Sequence, residues 1–217
     1  HSARMEAELS AAGRMQSLLL PPREGAHRRF RYTGQSRPGR YVGGDFFDVI
    51  PLSRDRLAVA VGDVSGKGVE AAVLITASQG FLHAALREHG DPGRAAPELN
   101  RYVYPRAPAG KFVTLWIAVL DNERRELHAV DAGHGHAFMV APDGGLSPLQ
   151  VTKSYPVSVL EETQYTSELL ALPESGRLLV LSDGLLEETS PPAPGEPDTG
   201  RHLRQFSREG GQRCLQS

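Results

Sequence analysis

Two stretches of helical spacing, 69–88 and 94–104, stand back to back near the middle of the chain. Beyond the first twenty residues, almost everything around them reads as short strands. His89-Gly90 supplies a stop for the first helix, and Asp91-Pro92 opens the second. Before them, Phe30 and Tyr32 alternate with polar residues, 41–49 leads to a turn at Ser53-Arg54-Asp55, and 57–61 is a short buried strand. After them come β-rich runs at 112–120, 126–131, 137–140, 168–172 and 177–181, separated by turns such as Asp121-Asn122 and Asp143-Gly144-Gly145. A doubly wound fold would interleave helices and strands. Strands, two helices and then a series of hairpin-like strands is instead the order of an α+β protein with mostly antiparallel sheets. No repeat of 20–50 residues is visible, which argues against solenoids and propellers. The Pro/Gly-rich stretch 190–200 reads as a loop.

A chain of 217 residues suits one globular domain with its own core. The 24 basic and 26 acidic side chains give a formal net charge of -2, so no electrostatic nucleic-acid surface is expected. Cys214 is the single cysteine. It excludes a disulfide framework and a multi-cysteine zinc or iron–sulfur site, and a reducing cytoplasm fits. The longest apolar run, 112–120, falls far short of the roughly 20 residues that cross a bilayer, so no membrane span is expected. The N-terminus carries no apolar signal core. In 1–20, Met5, Leu9, Ala12, Met15, Leu18 and Leu19 draw an apolar stripe on a helix that ends before Pro21-Pro22. That stripe suits packing on its own domain, or the end of a coiled-coil connector from an upstream sensor.

Three acidic positions stand at strand ends beside glycine: Gly44-Asp45 with Asp48 following, Gly62-Asp63, and Asp183-Gly184. Each alone is compatible with a turn. Together they are the oxygen-rich arrangement that hard divalent cations require, with glycine letting the backbone approach. Gly62 to Gly68 fails as an NTPase phosphate loop, because only three residues separate Gly62 from Gly66-Lys67 and Gly68 follows the lysine. Its Lys67 lies near a helix N-terminus, where an anion could sit. His134 and His136 of Asp131-Ala132-Gly133-His134-Gly135-His136 would share a strand face, but no third His or Cys has ligand spacing for zinc. A Gly-x-Ser-x-Gly elbow is absent and Cys214 has no evident base, so covalent nucleophilic catalysis is not indicated.

Taken in order, the motifs form a recognisable set: Arg14-Met15-Gln16-Ser17-Leu18-Leu19-Leu20-Pro21, Val42-Gly43-Gly44-Asp45-Phe46-Phe47-Asp48, Gly62-Asp63-Val64-Ser65-Gly66-Lys67-Gly68 with Glu70-Ala71-Ala72, Phe112-Val113-Thr114, Ala132-Gly133-His134, and Ser182-Asp183-Gly184 with Glu187. In order and spacing, over residues 12–190, the chain resembles the SpoIIE/RsbU-type serine/threonine phosphatases of the metal-dependent, protein phosphatase 2C-like (PPM) superfamily. The resemblance implies an αββα sandwich of two mostly antiparallel sheets flanked by helices, with a site for two Mn²⁺ or Mg²⁺ ions at one edge. It divides the chain into a linker or switch helix at 1–20 and a phosphatase domain at 21–217. By motif, Asp63 would bridge both metals, the Val64 carbonyl would ligate one, Asp183 would ligate one, and Asp45 would act directly or through water. Asp48, Lys67 and His134 would lie behind the ligands or near the substrate.

The implied reaction is hydrolysis of phosphoserine or phosphothreonine in a regulatory protein. The implied substrate is a STAS-type anti-anti-sigma factor in a partner-switching pathway, with an upstream sensor or self-association acting through the N-terminal helix. The helices at 69–88 and 94–104 would complete the site when that upstream element moves. The resemblance has departures. The family continues into a final strand bearing an Asp-Asp pair, and no aspartate follows Asp198 here. His136 replaces the usual proline after the Gly133-His134 motif, and Tyr155-Pro156-Val157 replaces a Leu-Gly pair. The alternative function is therefore a weakened or inactive phosphatase fold serving as a binding module.

Overall fold

The structure, a computed structural model, describes residues 2–36 and 41–182. Asp183, Gly184, Glu187, the loop expected at 190–200, Asp198 and Cys214 lie outside the described residues. In chain order the elements are helix α1 (Ser2–Leu18), strands β1 (Glu24–His27), β2 (Phe30–Thr33), β3 (Asp45–Pro51) and β4 (Arg56–Val64), helices α2 (Val69–His89) and α3 (Pro92–Val103), and strands β5 (Val113–Asp121), β6 (Glu126–Ala132), β7 (Ala137–Val140), β8 (Leu146–Pro148), β9 (Glu168–Ala171) and β10 (Arg177–Val180). The described residues fall into two compact units. One comprises the chain up to 135 with 151–172, the other 136–150 with the described residues after 172.

The first unit is organised by an antiparallel sheet in the order β3-β4-β5-β6-β9. The apolar run of β5 occupies its centre, and Leu115, Trp116, Ile117 and Ala118 have no solvent exposure on either face. Strand β4 runs further than the apolar run 57–61 suggests. Gly62, Asp63 and Val64 continue the ladder opposite Leu115, Thr114 and Val113. Gly62 is required there because the Phe46 ring occupies the space a Cβ would take. Strand β3 begins later than expected, at Asp45, so 41–44 lies outside its ladder with β4.

Helix α2 buries Ala71, Leu74, Ile75, Ser78, Leu82, Ala85 and Leu86, a stripe with the helical period. It ends at Gly90, which adopts the left-handed conformation (φ 59°) and donates its N–H to the Leu86 carbonyl at 2.8 Å. The Asp91 side chain accepts the Gly93 N–H at 2.8 Å and caps α3, with Pro92 in the first turn. α2 lies against β3 and β4, and α3 against β5, β6 and α2. Phe81 and Tyr102 stack between the helices with ring centroids 4.5 Å apart. By length and composition α2 could cross a bilayer, with a mean hydropathy of 1.3 over its apolar window, half of which is buried inside the protein. The expectation of no span rested on the shorter run 112–120 and overlooked this helix.

Helix α1 forms where expected, but the predicted stripe is not the face that packs. Met5, Met15, Leu18 and Leu19 are 62%, 64%, 76% and 55% exposed. Gly13 is buried instead, and Gln16 lies beside it on the packed face. A Cβ at Gly13 would collide with the Tyr41 carbonyl, so this glycine lets the helix lie directly on the backbone leading into β3. The second unit is a three-stranded antiparallel sheet in the order β10-β7-β8. Leu181 extends its β10–β7 pairing by donating its N–H to the His136 carbonyl at 3.0 Å. Antiparallel sheets with helices are the α+β class that the element order implies.

Candidate metal centre

Antiparallel register places Asp45 and Asp63 directly opposite each other, on adjacent strands. Cross-strand partners share a face, with Cβ atoms about 4.5–5.5 Å apart, and two like charges there repel. A shared cation converts that repulsion into attraction. The backbone adds a third oxygen. A Cβ at Gly44 would press on Val64 Cγ1 at 3.0 Å and would stand 3.5 Å from both the Asp63 Oδ1 and the Val64 carbonyl. Gly44 is therefore a close-approach glycine, and its own carbonyl accepts the Val64 N–H at 3.0 Å. Two carboxylates and a carbonyl are the hard, all-oxygen donors that suit Mg²⁺ or Mn²⁺. Among the described residues no group of three or more His, Cys, Asp or Glu side chains is placed to hold a metal. Asp183, the third expected carboxylate, lies outside them.

Thr114 faces Asp63 across the β4–β5 ladder. Its hydroxyl lies 3.4 Å from the Asp63 carbonyl and 3.4 Å from His134 Nδ1. His134 is buried, at 4% exposure. Its turn is built by Asp131, whose buried carboxylate accepts the His134 N–H at 2.8 Å and the Gly135 N–H at 3.0 and 3.2 Å. The expected shared strand face for His134 and His136 does not form. β6 ends at Ala132, and Gly133 and Gly135 both take φ 76°, which ends the two-residue alternation.

Asp48 goes elsewhere. Three residues from Asp45, it falls on the opposite face of β3, beside Phe46 and Ile50, and is 6% exposed. Its Oδ2 meets His83 Nδ1 of α2 at 2.8 Å and its Oδ1 accepts the Val49 N–H at 2.9 Å. Lys67 is exposed just before α2. Helix α2 has no side-chain cap, and Gly68 adopts φ 100° at its N-terminus. The loop carrying Lys67 is clamped from the other side. The Ser65 N–H donates to the Phe112 carbonyl at 2.9 Å, Ser65 Oγ accepts the Phe112 N–H at 3.0 Å, and Lys111 Nζ donates to the Ser65 carbonyl at 3.0 Å.

Residue-level reading named Asp45, Asp63 and His134 as candidates but assigned no role to Thr114, Asp131, His83, Ser65 or Gln16. Thr114 and Gln16 stood inside quoted motifs. Thr114 stands directly opposite Asp63 on the neighbouring strand, and that pairing becomes visible only once the register is known.

Antiparallel sheets with helices are an α+β fold, and its likeness to solved PP2C domains makes the class protein phosphatase 2C-like. The chain belongs to the Stage II sporulation protein E (SpoIIE) family, whose model matches residues 53–216. It is a SpoIIE/RsbU-type member of the metal-dependent phosphatase superfamily. It is 24% identical over 153 residues to the phosphoserine phosphatase RsbP of Bacillus subtilis, covering 69% of this chain and 38% of RsbP. Among solved structures, the SiaA-PP2C domain of Pseudomonas aeruginosa superposes with a TM-score of 0.74 at 17% identity, covering 97% of this chain and 85% of that one. RsbX in complex with magnesium gives a TM-score of 0.52 at 17% identity, over 77% of this chain and 82% of that one. The chain spans 33% to 54% of the length of the curated relatives it matches.

Proposed function

We propose that this chain is a divalent-metal-dependent protein phosphatase that hydrolyses phosphoserine or phosphothreonine in a regulatory protein. The observation that carries the reading is the opposition of Asp45 and Asp63 beside the Val64 carbonyl, in a chain of the SpoIIE family. Asp183, in the last of the quoted motifs, is proposed as a further ligand. Two Mn²⁺ or Mg²⁺ ions held there would neutralise charge on the phosphoryl group and ease deprotonation of water. Asp45 and Asp63 hold and orient, Gly44 keeps the space open, and Thr114 with His134 fixes the strand end behind Asp63. Hydrolysis places a water oxygen on phosphorus, breaks the bond to the seryl or threonyl oxygen, and leaves that oxygen protonated. Lys67, exposed before α2, stands as a candidate contact for the substrate's negative charge.

The substrate class proposed is a phosphorylated STAS-domain protein of a partner-switching pathway, and the setting cytoplasmic. The exposed stripe Met5, Met15, Leu18 and Leu19 on α1 is where an upstream sensor or a second copy would bind, in support of a division into a signalling segment 1–20 and a phosphatase domain 21–217. The test is Mn²⁺-dependent hydrolysis of p-nitrophenyl phosphate and of a phosphoserine STAS protein by the 217-residue chain. Asp63→Asn and Asp183→Asn should each abolish turnover. Partner binding that survives both substitutions, with no turnover by the unsubstituted chain, would establish the alternative, a silent phosphatase fold used as a binding module.

A further inference from the structure

We infer that Gln16 is a positioning residue for the metal-binding end of β3, acting through the backbone of Gly43. The inference rests on the proposed metal site and adds to it a residue that no ligand motif contains. Strand β3 is the edge of its sheet and begins at Asp45, so Gly43 has no place in the β3–β4 ladder. Gly43 is nonetheless buried. Both of its backbone groups are satisfied by one side chain: Gln16 Nε2 donates to the Gly43 carbonyl at 2.8 Å, and Gln16 Oε1 accepts the Gly43 N–H at 2.8 Å.

Only a primary amide offers a donor and an acceptor side by side in one plane, as a neighbouring strand would. Gln16 therefore substitutes for a missing strand partner two residues before Asp45. The next residue is held from the other side, because the Gly44 carbonyl accepts the Val64 N–H at 3.0 Å. The carbonyl of Asp45 itself accepts from Ser36 Oγ at 3.4 Å. Gln16 thus fixes the backbone between α1 and Asp45, which stands opposite Asp63 in the ladder. Gly13, one turn earlier, makes the approach possible, since any Cβ there would overlap the Tyr41 carbonyl.

Residues behind metal ligands typically change affinity about 10–100-fold when they are removed. Gln16→Leu keeps approximate size and loses both bonds. Gln16→Glu keeps the acceptor for the Gly43 N–H but sets a carboxylate oxygen against the Gly43 carbonyl, and it serves if the leucine variant fails to fold. Mn²⁺ affinity would be measured by calorimetry on the 217-residue chain and both variants, beside metal-free thermal midpoints and hydrogen exchange at the Gly43 amide. The expected result is Mn²⁺ affinity roughly 10-fold weaker in a folded variant. Faster exchange at Gly43 should accompany it in the leucine variant. A role confined to anchoring α1 would lower the thermal midpoint and leave Mn²⁺ affinity of the folded protein unchanged. That outcome overturns the positioning role and leaves the phosphatase reading standing. Failure of the unsubstituted chain to bind Mn²⁺ overturns both.

Discussion

Asp131→Ala tests whether the turn before β7 is held by one carboxylate. In the structure the Asp131 side chain, 4% exposed, accepts the N–H groups of His134 and Gly135 at 2.8 to 3.2 Å. Alanine would leave two backbone donors without this acceptor in a buried setting. Bonds to a charged group contribute about 1.5–3 kcal/mol each, so the loss should be about 3–5 kcal/mol. That is a large part of a typical total of 5–15 kcal/mol. For a chain of this size it corresponds to roughly 10 °C in thermal midpoint. Asp131→Asn retains one carbonyl oxygen and should lose about half as much. Urea unfolding of the three proteins at one pH, compared at constant m-value, measures both differences. A loss below about 1 kcal/mol for Asp131→Ala would show that solvent or a rearranged turn replaces the carboxylate, and would refute the reasoning.

Asn100, 1% exposed, bonds the carbonyls of Leu160 and Glu161 and accepts the Ser158 N–H; Asn100→Ala should cost about 2–4 kcal/mol and make 155–162 the first site of limited proteolysis. Gly62→Ala forces a Cβ into the Phe46 ring and should destabilise by about 1–3 kcal/mol, with Phe46→Leu partly restoring the urea midpoint. Burial pushes the Tyr165 hydroxyl up to about 12. Its unfolded value is near 10, so the folded state holds the proton longer. Stability should be complete below pH 10 and decline from there toward pH 12, by at most roughly 2–3 kcal/mol, and the slope of urea midpoint against pH should flatten in Tyr165→Phe.

Much of this architecture was legible from residue order alone. Two helices closed by Gly90 and opened by Asp91-Pro92 stand within a few residues of their expected bounds, and the runs after 112 became β5, β6, β7, β9 and β10. Periodicity and end signals are local, so a single sequence carries them. The short strands β1 and β8 were not read, because three or four residues without strong alternation look like turn. Helix α1 shows the opposite failure. Its apolar stripe was clear and pointed to the wrong face, because close backbone approach at Gly13 and an amide at Gln16 outweigh apolar spacing when the partner surface is a bare peptide edge.

Strand alternation explains why the two aspartates of Gly44-Asp45-Phe46-Phe47-Asp48 take separate work. An odd offset of three puts them on opposite faces of β3. Asp45 then meets Asp63 across the ladder, where a cation is favoured, while Asp48 meets His83 of α2 at 2.8 Å, where a charged or neutral imidazole already answers it. The motif therefore joins two interfaces through seven residues of one strand. Its outer face carries the proposed ligand Asp45 and its inner face locks the strand to the helix that follows Asp63 by six residues. Moving α2 would strain the Asp48 contact and, through the same rigid strand, the register of Asp45 against Asp63. The sequence displays both carboxylates equally, and only the pleat separates the one that can bind an ion from the one that holds the frame.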